Sequence, residues 1–238
     1  NVVLAYGLIN GHFGLPALGP VGSAWATFIS RAIALVLLLG VLWRGRNGIS
    51  IRGEGSWRPQ FAVARRVLGI GIPAAVEQVI TSGAFFALTA LVGRLGTDAL
   101  AANRIAINAL SLAFLPGFGF GIAATTLVGQ SVGARNLKEG AQAARIATGW
   151  ALIWMSVMGA VFFLFAPQAM GLFTDDPKVI AAGVSGLRVM ALGTPFWAIG
   201  FTHSGALRGT GDTRWPMWIN AGAFWLGVIV ASVLLPLL

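Results

Sequence analysis

Only seven of the 238 residues carry a side-chain carboxylate, and one of the seven lies where a charge costs most. Glu77 sits inside the apolar run "GIGIPAAVEQVITSG" (69–83), whereas Glu54, Asp98, Glu139, Asp175, Asp176 and Asp212 fall in polar connections. Glu77 follows Pro73 by four residues, so the two share a helix face. Proline removes a backbone donor and opens local carbonyls. A carboxylate beside freed carbonyls suits a proton or a small cation, and ionisable groups inside a span mark ion paths. The same residue has a second reading: a carboxylate one turn into its helix, near the membrane surface, stabilised by the helix N-terminus. Gln78, Thr81, Asn103, Asn108 and Thr202 are candidates to line a wet cavity with it. Ser82, Ser111, Thr125, Thr126 and Gln130 belong to the same polar set. The commoner use of such groups is hydrogen bonding from helix to helix.

Other chemistries find no constellation. There is no cysteine, hence no disulfide framework and no thiolate metal site. His12 and His203 are isolated from each other, and neither HExxH nor GxSxG occurs. An enzyme, a resident metal and an organic cofactor are therefore not expected. The glycine-rich stretch "GALRGTGDTRWP" (205–216) lacks the GxxxxGK[ST] pattern and the preceding strand of a phosphate loop.

The elements that must position these residues are membrane helices. The chain is 57% hydrophobic and 10% charged, with a mean hydropathy of +0.82. Charge-free runs exceed the roughly 18 residues that mark a spanning helix. The fold class is an all-α polytopic bundle with about six full spans and one truncated one. The apolar segments run over 1–10, 17–43, 67–93, 99–132, 146–170, 177–206 and 213–238. The fourth exceeds an upright span and holds Pro116 in "PGFGFG", which points to a kinked or tilted helix. Asp98, Asp176 and Asp212 are placed to cap the helices that follow them. The long connection 44–66 mixes arginines with Trp57, Phe61 and Val63 near its end, the pattern of an interfacial helix. "GQSVG" (129–133) and "GALRG" (205–209) space small residues for close helix approach.

The net charge of +9 reflects topology. Eleven of the sixteen Lys and Arg fall in 44–66, 133–145 and 207–214, connections that alternate spans put on one side. Arg94 and Lys178 alone fall in the opposite connections. The positive-inside rule then places 44–66, 133–145 and 207–214 in the cytoplasm, against anionic headgroups of the bilayer. Stacking aromatics or groove-reading helices are lacking, so nucleic acid is excluded as a partner. Arg31, Arg104 and Arg188 lie near or within spans. The start at Asn1 and the apolar ending "ASVLLPLL" lead us to expect a piece of a longer protein.

"GIPAAVEQ" (71–78), "LVGRLGTDALAANRIAINALSLAFLPGFGFGIAATTLVGQSVGARN" (91–136) and "GALRGTGDTRWP", in that order and spacing, resemble the C-terminal lobe of multidrug and toxic compound extrusion (MATE) transporters. "GLPALGPVGSAWATFISR" (14–31) resembles the helix that closes the family's N-terminal lobe. The resemblance implies three parts. Residues 1–43 would end the N-terminal lobe, 44–66 would form a cytoplasmic linker with an interfacial helix, and 67–238 would supply family helices seven to eleven. It also implies a secondary antiporter whose two lobes rock, exporting drugs or organic, often cationic, compounds against H⁺ or Na⁺. Its partners would be the bilayer, a small organic substrate and the rest of the N-terminal lobe. Sodium-coupled relatives carry acids two turns after the helix-seven proline and eleven residues before the arginine of "LRG". Thr81 and Trp197 stand there. Two alternatives accompany this expectation: a lipid-linked precursor flippase of the same fold, with Arg31, Arg104 and Arg188 facing its lumen, and a non-transporting membrane scaffold.

Overall fold

The computed structural model describes residues 1–45 and 60–234. Expectations resting on Arg46, Arg52, Trp57 and Arg58 lie outside the described residues. Among the described residues eight helices follow one another: α1 (Val2–Asn10), α2 (Pro20–Arg44), α3 (Phe61–Gly93), α4 (Thr97–Gly133), α5 (Leu137–Leu164), α6 (Ala166–Gly171), α7 (Pro177–Gly209) and α8 (Arg214–Leu234). Six of them, α2, α3, α4, α5, α7 and α8, are long and apolar enough to cross a membrane. The protein is a multi-pass helical membrane protein.

Two compact units divide the chain, 1–59 and 60–238. In the first, α1 and α2 form a hairpin. Leu18 donates its N–H to the Leu8 carbonyl at 2.8 Å, and Gly22 lies against that carbonyl so closely that a side chain there would collide with it. Pro20 opens α2, where its missing donor costs nothing.

The second unit is built around α4, α5 and α7. Its core is small: Ala102, Ala106, Ala109, Ala113 and Ala191 pack with Leu110, Met170 and Leu187. Small residues let helix axes approach, and dispersion then replaces the hydrophobic drive that lipid cannot supply. The α4–α7 seam shows this most clearly. A Cβ on Gly205 would strike the Gly121 carbonyl oxygen, and one on Gly209 would lie 2.6 Å from the Thr125 oxygen. The "GALRG" pair is thus a packing motif. Its partners on α4 are Gly121, Thr125 and Gly129, spaced by four; Gly133 has open space beside it. Thr194 ties α7 to α5 by donating to the Met155 carbonyl at 2.8 Å, and Trp154 Nε1 ties α5 to α4 through the Ala113 carbonyl at 3.3 Å.

Hydrogen bonding carries the helices beyond their apolar runs. α3 begins at Phe61, not 67, so residues 61–66 form its first turns and are not a separate interfacial element. α5 begins at Leu137, leaving 134–136 as the connection and placing Lys138 and Arg145 on the helix. Asn136 caps it by accepting from the Glu139 N–H at 3.2 Å, while its side-chain Nδ2 donates to the Glu139 carboxylate at 3.0 Å. The run 146–170 is two helices, since α6 starts anew beside Pro167. Asp176 caps α7 through the Lys178 N–H at 2.9 Å, and Asp212 accepts from the Arg214 and Trp215 N–H groups of α8. Asp98 does not cap α4: Gly96 occupies that position with φ 114°, and Asp98 lies in the first turn. α4 keeps Pro116 inside one unbroken helix.

Candidate functional site

α3 and α8 run parallel, and two hydrogen bonds fix their register. The Thr213 hydroxyl donates to the Ile70 carbonyl at 3.1 Å, and Asn220 Nδ2 donates to Glu77 Oε1 at 2.7 Å. Both bonds join residues 143 apart, so the two contacts repeat after seven residues, or two helical turns. Ile70 lies one residue past the carbonyl that Pro73 deprives of its donor. Glu77 therefore sits about 10 Å inside the level at which α8 begins, by helical rise. Residues 61–69 have no α8 residue opposite them, and all are exposed. The amphipathic stretch with Arg65 and Arg66 is this projecting start of α3.

Arg208 completes the site. It is the penultimate residue of α7, and its Nη2 donates to Glu77 Oε1 at 2.6 Å. A charge-assisted bond of that length is among the stronger ones a protein makes. The turn that follows supports it: Gly211 takes φ 89°, open to glycine, and the Asp212 N–H returns to the Leu207 carbonyl at 3.1 Å. The node extends to α7 again, because Asn220 Nδ2 lies 3.3 Å from Ser204 Oγ. Glu77 is 5% exposed. Its Oε1 takes both donors, while Oε2 is buried with no partner.

Burial of Glu77 rests on this ion pair. The reading by which the helix N-terminus stabilises it is corrected: α3 starts sixteen residues earlier, and the macrodipole acts only within the first turn. Arg208 and Asn220 were not legible as its partners. A cation at a span end reads as a topology signal, and nothing over a separation of 131 residues announces the contact. The available clue was chemical: a lone acid in a span needs a counter-ion.

The other candidates scatter. Gln78 is exposed, its Nε2 3.4 Å from Ser82 Oγ on its own helix. Thr81 is half-buried one turn beyond Glu77, and Asn103 and Asn108 lie toward the opposite end of α4. Thr202 does not line a cavity: it is fully buried, its hydroxyl 3.0 Å from that of Thr148 on α5. Trp197 belongs to a row of rings, with centroids 5.6 Å from Phe114 and 5.4 Å from Phe224. Arg188 donates Nε to the Phe163 carbonyl at 3.2 Å and covers that ring at 5.8 Å. That carbonyl is among the last four of α5, which lack helical donors. Arg31 and Arg104 are exposed. No group of three metal-binding side chains occurs among the described residues.

Six spans with a buried ion pair where three of them meet define a polytopic helical membrane protein. The MatE family model matches residues 73–233, and the chain belongs to that family. It is 35% identical over 227 residues to the probable multidrug resistance protein NorM of Thermotoga maritima, covering 94% of this chain and 48% of that protein. It is 36% identical over 233 residues to the multidrug resistance protein NorM of Burkholderia vietnamiensis, covering 94% and 49%. The chain spans about half the length of the curated relatives it matches. A solved MOP superfamily transporter from Pyrococcus furiosus shares the fold, with a TM-score of 0.88 at 22% identity, over 98% of this chain and 52% of that one.

Proposed function

We propose that the chain is part of a secondary antiporter that exports drugs or organic, often cationic, compounds in exchange for H⁺ or Na⁺, and that Glu77 takes the coupling ion in this lobe. Membership of a family of multidrug resistance proteins supports the first statement. The second rests on one observation: Glu77 is buried inside a span with one carboxylate oxygen free of any partner. Ionisable groups so placed are costly and are kept for ion traffic. The substrate would be a small organic molecule, and the rest of the N-terminal lobe would form the opposite wall of the path. Arg188 is engaged by the end of α5, which leaves the flippase alternative without one of its three lumenal cations.

The test uses the intact protein in cells and in proteoliposomes. Expression should raise resistance to norfloxacin and speed ethidium efflux. Glu77→Gln should slow cation-driven efflux at least about tenfold, equivalent to roughly 1.4 kcal/mol, while leaving the amount of folded protein unchanged. Coupled efflux equal to wild type would remove Glu77 from the coupling path.

A further inference from the structure

We propose that Arg208 is a tethered counter-cation that competes with the transported cation for Glu77, so that binding of the ion and release of Arg208 are one event. The proposal rests on the coupling role of Glu77 given above.

The two partners are unequally held. The Glu77 side chain is 7% exposed and the Arg208 side chain 41%. The carboxylate is fixed in the helix packing, whereas the guanidinium reaches it from an open side and from a helix end. Both donors converge on Oε1, at 2.6 Å and 2.7 Å, and leave Oε2 bare. A cation arriving at Oε2 meets a carboxylate whose charge Arg208 already neutralises. Two positive groups a few ångströms apart on one carboxylate repel strongly in a region of low dielectric. Occupancy is therefore exclusive. Asn220, neutral and tied to Ser204 as well, stays on Oε1 in either state.

Among the described residues no other charge stands in for Arg208. His203 on α7 is exposed, with Nδ1 3.0 Å from the Ile199 carbonyl of its own helix. Asp212 is spent on the amides of α8, and Arg214 is exposed. Arg65 and Arg66 lie more than ten residues before Glu77 on α3, and Asp98 and Arg104 lie at the other end of α4. Among the described residues Glu77 and Arg208 are the one ion pair within hydrogen-bond distance. The pairing gives the ion a function beyond charge. When it displaces Arg208, α7 loses its direct ionic tie to α3, and a local exchange of cations becomes a change in helix contacts.

Competition has a numerical signature. If Arg208 holds the carboxylate nine-tenths of the time, the apparent affinity for the ion falls about tenfold. In proteoliposomes of the full-length protein, Arg208→Met should lower the half-saturating proton or Na⁺ concentration for efflux about tenfold. It should also admit cation leak without substrate. Glu77→Gln/Arg208→Met, which removes both charges, should fold and lose the cation dependence. Should Arg208→Met fail to accumulate, Arg208→Lys reads the same quantity: a single ammonium holds one oxygen less firmly, and half-saturation should drop severalfold. An unchanged half-saturation in either Arg208 variant, with coupling abolished in Glu77→Gln, overturns the counter-cation while Glu77 keeps its role. Wild-type coupling in Glu77→Gln overturns both.

Discussion

At Glu77 a buried carboxylate oxygen receives a guanidinium and an amide together, and the energetic asymmetry of such pairs decides what each substitution does. Removing one partner of a buried ion pair costs roughly 3–5 kcal/mol because the other charge is stranded. Arg208→Ala should fall toward the lower end of that roughly 3–5 kcal/mol range, since its side chain is 41% open and other donors can reach the site. Glu77→Gln strands no buried charge and should cost less than about 2 kcal/mol. Adding it to Arg208→Ala should restore much of the lost stability, a non-additivity expected of contacting residues. Thr213→Val loses one interhelical bond and should cost only about 0.6–2 kcal/mol. Thermal unfolding in detergent, followed by the fraction that remains monodisperse, ranks the four variants. Equal losses for Arg208→Ala with and without Glu77→Gln would mean that the pair contributes nothing as a pair. The acid was visible in the sequence because a carboxylate in an apolar run stands out. Its partners were hidden, because Arg208 at a span end looks like any cytoplasmic cation and Asn220 lies on a helix whose register no local pattern sets.

The six spans were legible in number and order but not in extent, and the break that makes α5 and α6 two helices was not. Hydropathy sees the length of a helix that meets hydrocarbon, whereas backbone hydrogen bonding continues into charged turns. That is why α3 reaches back to Phe61 and α5 to Leu137. Small-residue spacing was legible as a pattern, yet not all of it packs: Gly205 and Gly209 meet α4 and Gly129 meets Gly209, while Gly133 meets nothing. In a glycine-rich chain, spacing alone cannot separate a seam from a coincidence; the facing carbonyl does. Gly205→Val should force α4 and α7 apart. It should cost about 1–3 kcal/mol or more as overpacking against a rigid carbonyl. Gly200→Ala, on the same helix with open space around it, should be neutral or stabilising by up to about 1 kcal/mol. Expression and melting temperature of the two variants measure the difference directly. Asn136→Ala removes the α5 cap and should cost about 1 kcal/mol, a loss that Asn136→Ser, which keeps an acceptor for the Glu139 N–H without a second carboxylate beside Glu139, should largely avoid.

For the molecule as a whole, the apolar exterior and the placement of charge make one statement about orientation. Phe86, Phe196 and Trp218 expose 77%, 75% and 66% of their surface, which only lipid or apolar protein can cover without cost. The basic connections then decide which way the bundle lies. The turn 134–136 and the turn 210–213 emerge at the end where α3 and α8 begin, and Lys138 and Arg208 flank them. Connections 94–96 and 172–176 emerge at the other end. This chain has no cysteine, so single cysteines placed in it report without background once any cysteine elsewhere in the full-length protein is replaced by serine. With a membrane-impermeant maleimide on intact cells making the full-length protein, Leu95→Cys and Leu172→Cys, whose native side chains are 52% and 85% exposed, should label. Lys138→Cys and Thr210→Cys should label only after the membrane is opened. Reversal of all four would invert the orientation and move Arg65, Arg66, Arg145 and Arg214 outside, against the positive-inside rule. A split within one pair, with Lys138→Cys and Thr210→Cys on different sides, is a stronger result still. It would mean that α5 or α7 does not cross, and the parallel register of α3 and α8 that brings Asn220 to Glu77 could not exist in the membrane.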